Sequence, residues 1–288
     1  MAIVENTRTE AGTRLSASAG SPVAASRRSW LPRAGRIAGG ISRRVVGILI
    51  LLAAWETLPR LGVVDRVFLP PFSEVADEWV VLLRGGDLWE HTSASLTRAA
   101  SGFAIAIAIA LPLGLLIGWF RLAAQFLNPV LEVFRNTAPL ALLPVFVLIF
   151  GLGETSKIAI IVYACVWPVL LNTISGVQGV DPLLVKSARS MGLPSVRLFQ
   201  KVILPAAVPT IFTGVRLAGA YAILILVAAE LVGAQAGLGY LINYAQSNFA
   251  IPEMYAGIIT VSVVGLIINQ GLLALERRFT RWRITSNS

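Results

Sequence analysis

One histidine and one cysteine are all that 288 residues offer in imidazole and thiol chemistry. Cys165 sits inside an apolar run, which excludes an intrachain disulfide framework and a Cys-cluster metal site, and it reads as a small buried apolar residue. His91 has no Cys or second His nearby, so no metal or catalytic role is expected of it, and it reads as a solvated loop residue. No G-x-x-x-x-G-K-S/T phosphate loop occurs, nor H-E-x-x-H, nor G-x-S-x-G, so nothing in the chain cradles ATP phosphates or carries those hydrolytic sites. Charge is scarce too: 14% of residues are charged against 56% hydrophobic, and the mean hydropathy of +0.76 excludes an ordinary soluble domain. The chain reads as a polytopic membrane protein whose energy source is another chain or an ion gradient.

What is there is a series of apolar runs. A hydrocarbon core requires about 20 apolar residues of a helix. Arg98 to Arg121 encloses 22 uncharged residues, Arg135 to Glu154 18, Lys157 to Asp181 23, and Glu253 to Glu276 22. A further span at 206–229 contains Arg216, and a first at 45–64 contains Glu56, Pro59 and Arg60. With six spans assumed, 18 Lys and Arg fall on one side and 4 on the other. That bias places both termini and the 181–205 loop in the cytoplasm. It also assigns the net charge of +9 to membrane orientation rather than to nucleic-acid binding.

The expected organisation is a basic, disordered cytoplasmic tail at 1–44, a first span at 45–64, an extracytoplasmic amphipathic segment at 65–95, a five-helix core at 96–276 and a basic tail at 277–288. In the first tail Arg27, Arg28, Arg33, Arg36, Arg43 and Arg44 read as a topology signal, with contact to anionic headgroups as the other role open to them. No apolar run follows a short basic start, so a cleavable signal peptide is not expected. In the amphipathic segment Ser73 is positioned to cap a helix bearing Val75, Trp79, Leu82 and Leu83 at helical spacing, with Asp77 and Glu78 facing water. Asp87 with Glu90 has the spacing of a capping box leading to the second span.

Inside the spans, Pro112, Pro139, Pro144 and Pro168 with Gly114, Gly118, Gly151 and Gly176 predict bends and close helix contacts. Pro139 and Pro144 are also candidates for a broken helix lining a cavity. Arg216 and Glu230 are pathway or snorkelling candidates. Fourteen residues apart on one helix, they are separated by about 21 Å and cannot pair. Asn172, with Thr173, Asn269 and Gln270, is either pathway lining or interhelical hydrogen-bonding glue.

The stretch Asp181–Pro205, DPLLVKSARSMGLPSVRLFQKVILP, is a polar and basic island between two apolar segments. Asp181 predicts an N-cap and Pro182 a first helical turn. Gly192 predicts a left-handed stop, and Pro194 a second short helix through Lys201 that Pro205 ends. A helix–turn–helix outside the membrane is expected.

This island resembles the EAA loop of bacterial ABC importer permeases: Lys186, Ser187 and Ala188 stand at the Glu-Ala-Ala triplet, Gly192 at the glycine, Val202 at the Ile position, and Leu204–Pro205 at the Leu-Pro. Lys186, Ser187 and Val202 depart from the pattern. The flanks LPPFSEV, TAPLALLPVFVLIFGLGETSKI, WPVLLNTISGV and VAAELVGAQAGLGYLI extend the likeness, so that residues 68–242 look like permeases of the nitrate/sulfonate/taurine importer family. The resemblance implies an all-α, MetI-like permease fold of about six transmembrane helices in the bacterial inner membrane. It implies a non-catalytic subunit whose coupling loop, carrying Asp181, Lys186, Ser187, Ala188, Arg189, Gly192, Leu204 and Pro205, docks on an ABC ATPase. The implied partners are two cytoplasmic ATPase subunits that bind ATP and magnesium, a second permease copy, an extracytoplasmic substrate-binding protein and membrane lipid. No cofactor is implied in this chain. The cargo implied is a small sulfonate-, nitrate- or taurine-like anion. Aromatic carboxylates and pyrimidine-like solutes remain alternatives, and a gradient-driven secondary transporter is the other class.

Overall fold

The computed structural model describes residues 34–279, with side chains from residue 46 onward apart from Arg121. Most of the expected first tail and the end of the second lie outside the described residues, as do the side chains of the six N-terminal arginines. Residues up to Ile50 and from Leu51 onward form separate units, and the packed bundle lies within the second. Every described element is helical. The long helix α1 (Ala34–Arg60) carries the first expected span and is followed by α2 (Phe72–Gly85) and α3 (Asp87–Trp119). Then come α4 (Arg121–Asn136), α5 (Leu143–Phe150), α6 (Glu154–Gln178), α7 (Pro182–Ser190), α8 (Ser195–Leu198), α9 (Leu204–Glu230), α10 (Leu238–Ser247) and α11 (Ile251–Phe279).

The core is the α3–α6–α9 layer, and it is built by omission of side chains. Gly102, Ala106, Ala110, Gly114 and Gly118 recur every four residues on α3 and are all buried. This stripe lets the α6 backbone approach closely, the usual route to helix association where lipid removes the hydrophobic drive. A Cβ on Gly114 would lie 2.7 Å from Thr173 Cβ, and on the α9 side a Cβ on Gly214 would lie 2.6 Å from Asn172 Cβ.

Among the described residues, four helices are long and apolar enough to cross a membrane: α3, α6, the continuous helix of residues 195–230, and α11. The Arg135–Glu154 run is not a straight fifth span. Residues 122–136 and 139–150 meet at a bend of 83° and make at most one broken span. Pro139 disfavours helical dihedrals in the residue before it, and Thr137 and Ala138 are extended, with ψ of 120° and 121°. A 3-10 turn, Pro139–Leu142, then leads into α5.

Two capping expectations are corrected. Ser73 does not cap α2, which begins at Phe72. Instead Glu56 of α1 accepts from Ser73 N at 2.9 Å and from Ser73 Oγ at 3.0 Å, and is paired with Arg60. Thus the two charges that interrupt the first apolar run pin the amphipathic helix to the end of α1. Trp79 Nε1 donates to Thr260 Oγ1 at 3.0 Å, tying α2 to α11, while Val75 and Leu82 are buried and Leu83 is exposed. Asp87 and Glu90 form no capping box: Gly86, with φ of 90°, precedes α3, and both acids lie in its first turn, where they complement the helix dipole. Because α3 starts at Asp87, Arg98 lies within the helix rather than at its boundary. His91 also lies on α3; its Nδ1 accepts from Gly237 N at 3.2 Å and its ring packs on Tyr240, so it is not a solvated loop residue.

Candidate functional site

The island at 181–205 folds from its local signals. Asp181 accepts from Leu183 N at 2.8 Å and starts α7, with Pro182 in the first turn. Gly192, at φ of 76°, turns the chain out of α7, and Leu193 N closes the turn on Ala188 O at 3.2 Å. No other atom lies near a side chain built on Gly192, so only its dihedral requires glycine. Ala188 is buried, in a small apolar cluster with Val177, Leu198, Ile203, Ala207 and Ile211. Lys186, Ser187 and Arg189 are exposed around it.

The second half differs from expectation. Pro205 does not end the second helix, because Phe199–Ile203 is a π-helical segment in which Leu204 N donates to Phe199 O, five residues back. The wider turn carries the axis past Pro205, whose nitrogen has no hydrogen to give. Residues 195–230 therefore form one helix that extends 36 residues from the turn through the bundle. Leu204 and Pro205 are inside it.

At the far end of this helix is a cluster of buried charge that no local spacing in the sequence assembles. Glu230 is enclosed at 1% exposure and accepts from Arg98 Nη1 at 2.6 Å, from Ser95 Oγ at 2.8 Å and from Gly239 N at 2.9 Å. Arg98 is itself 5% exposed, holds Glu154 through two of its N–H groups, and donates to Ala236 O at 2.6 Å. Ser95 Oγ accepts from Leu238 N at 2.8 Å, and Lys157 Nζ reaches Gly153 O at 3.2 Å and Gly233 O at 3.4 Å. The charges of Arg98, Lys157, Glu154 and Glu230 balance. Together they tie α3, α6 and α9 to the 231–237 loop and the start of α10. Glu230 thus faces into the bundle rather than snorkelling. The signal for Arg98 was available, since it is the one cation within the apolar run that follows Asp87.

Arg216, about midway along α9, pairs with Glu276 in the last turn of α11 at 3.2 Å. It does not approach Glu230. Asn172 Nδ2 donates to Pro168 O at 2.8 Å on its own helix, and its Cβ supports the close α6–α9 approach at Gly214. Pro139 is half-buried and Pro144 exposed at the elbow between α4 and α5. The elbow is braced on α6 by Phe134 stacked on Trp167, with centroids 5.7 Å apart, and by Tyr163 OH donating to Phe134 O at 3.1 Å. Trp167 Nε1 is buried there without an acceptor. Among the described residues no group of His, Cys, Asp and Glu is arranged to hold a metal ion.

The helical arrangement is that of ABC importer membrane subunits. It superposes on a chain of the inward-facing MetNI methionine ABC transporter with a TM-score of 0.57 at 18% identity, covering 65% of this chain and 94% of that one. The sequence goes further. Residues 110–281 match the family described as binding-protein-dependent transport system inner membrane component, and the chain belongs to that family. It is 35% identical over 251 residues to the taurine transport system permease protein TauC of Escherichia coli, covering 84% of this chain and 91% of the relative. It is 37% identical over 234 residues to the putative aliphatic sulfonates transport permease protein SsuC of Bacillus subtilis, covering 81% and 85%. The resemblance to the sulfonate and taurine permeases holds, and the chain is an ABC importer permease for small solutes.

Proposed function

We propose that this chain is the membrane subunit of an ATP-driven importer that passes a small sulfonate-like anion from an extracytoplasmic binding protein into the cytoplasm. The observation that carries the reading is the α7–Gly192–α8 element, exposed at one end of the bundle and continuous with a helix that runs to the other. Two copies of the chain form the pathway between them, and two ATPase subunits receive the exposed α7 surfaces. The 18 to 4 distribution of Lys and Arg supports placing both termini and α7 in the cytoplasm, where ATP is found. This chain catalyses nothing and holds no cofactor; ATP and magnesium are bound by the ATPases. Closure of the ATPases pulls the two α7 elements together, and the continuous 195–230 helices carry that motion to the opposite face. ATP and the loaded binding protein bind one arrangement better than the other, which is what makes the cycle directional. The sulfonate class rests on the relatives.

The test is co-expression with its ABC ATPase and binding protein, followed by ATP hydrolysis in proteoliposomes. Stimulation by taurine- or alkanesulfonate-loaded binding protein is expected, and it should be lost in Gly192→Val. Valine is the informative replacement because a β-branched residue at positive φ is strained, whereas Asp tolerates that region. Absence of any ATPase association would refute the reading and favour a gradient-driven transporter.

A further inference from the structure

Lys186 and Arg189 lie three residues apart on α7, on the same face as Pro182 and Val185, and all four line a groove of about 810 Å³ beside the α7–Gly192–α8 element. Across the groove stand Gln125 and Asn128 of α4, with Gln178 at the end of α6 and the indole of Trp119 at the end of α3. Neither cation has a carboxylate partner among the described residues. The acids at this end of the bundle are engaged elsewhere: Asp181 caps α7, Glu132 holds Arg135 and Glu276 holds Arg216. Two uncompensated cations and three carboxamides thus border one cavity whose remaining wall is apolar.

We propose that this groove is an oxyanion site at the cytoplasmic membrane surface, taking a phosphate, sulfate or sulfonate group. A guanidinium presents forked N–H donors that match the paired oxygens of such a group, and an ammonium beside it adds a point charge. The carboxamides supply neutral donors for the remaining oxygens. A carboxylate would satisfy the arginine alone, but the spread of donors over α4, α6 and α7 suits a group with oxygens in three directions. The volume exceeds that of a free tetrahedral anion, and Trp119 is the last residue of α3, a helix apolar enough to cross a membrane, where an interfacial tryptophan would meet headgroups, so both a free anion and a phospholipid headgroup have the required chemistry. Either would bridge the α7 element to α4. The site goes beyond the transport reading; its chemistry does not depend on that reading, while its cytoplasmic placement rests on the topology proposed there.

Lys186 is itself the reporter. An amine engaged by an anion is held protonated and shielded from acylating reagents, and Lys201, exposed and outside the groove, serves as the internal control. The full-length chain in nanodiscs of phosphatidylcholine is pulse-labelled with an amine-reactive ester, with inorganic sulfate or phosphate against chloride at equal ionic strength, and labelling of each lysine is read by mass spectrometry. A second arm replaces part of the lipid with phosphatidylglycerol. Slowing of Lys186 by about fivefold relative to Lys201 is expected, since charge-assisted hydrogen bonds are the stronger class. Protection by sulfate in the neutral disc assigns the site to a free anion, and protection only with phosphatidylglycerol assigns it to a headgroup. In both cases Asn128→Leu and Arg189→Gln should weaken protection. Equal labelling of the two lysines under every condition overturns the proposal, as does protection that neither variant reduces.

Discussion

Replacing Glu230 by alanine removes the acceptor on which three donors converge. Arg98, the Ser95 hydroxyl and the Gly239 amide all point at that buried carboxylate, at 2.6, 2.8 and 2.9 Å. Removing one partner of a buried pair costs about 3–5 kcal/mol, because the remaining charge stays buried. Arg98 keeps Glu154, whose side chain is 62% exposed, so the lower end, about 3 kcal/mol, is expected. For a chain of this size that corresponds to a fall of about 6–12 °C in unfolding temperature. Cys165 supplies the assay: it is the only cysteine, it is fully buried, and a thiol-reactive fluorogenic dye reports its exposure on heating. Glu154→Ala should cost about 1 kcal/mol or less, as expected for a pair open to solvent. The double variant Arg98→Met, Glu230→Met should recover much of the loss, because apolar replacement of a buried pair is often near neutral. Unfolding of Glu230→Ala at the wild-type temperature, or a larger effect of Glu154→Ala, would refute the assignment of Glu230 as the centre of the cluster.

Three further outcomes follow from the packing. Gly114→Val should lower the unfolding temperature through overpacking of about 1–3 kcal/mol, since its Cβ alone would stand 2.7 Å from Thr173 Cβ; the same dye assay measures it. Trp167→Phe should leave stability unchanged or raise it by up to about 1 kcal/mol, because it removes a buried N–H that has no acceptor while keeping the ring stacked on Phe134. Glu56→Gln should loosen α2 from the end of α1 through the loss of a charged acceptor from Ser73, and hydrogen exchange at the Ser73 amide should rise accordingly.

Most of the α7 element could be read from local rules, because caps and turns are decided within four residues: Asp181, Pro182 and Gly192 do what their chemistry requires. The same local logic failed at Pro205, where proline is a breaker by propensity but a π-helical turn that ends two residues earlier absorbs it. It failed at Ser73 for a related reason. The cap on α2 comes from Glu56, 17 residues away, and no local pattern contains that distance. Gly114 and Gly118 were marked for close helix contact, but neither the full α3 stripe from Gly102 nor its partner on α6 was, since close approach depends on which helices become neighbours. Charge shows the limit most clearly. Glu230 was visible as an ion inside a span, and Arg98 and Glu154 only as the edges of runs, and 132 residues separate Arg98 from Glu230. In an apolar chain an isolated buried charge is too costly to stand alone, so every ion inside a span implies a partner on another helix. Arg98, about three turns into α3, and Glu230, the last residue of α9, have opposite signs and meet that requirement for each other.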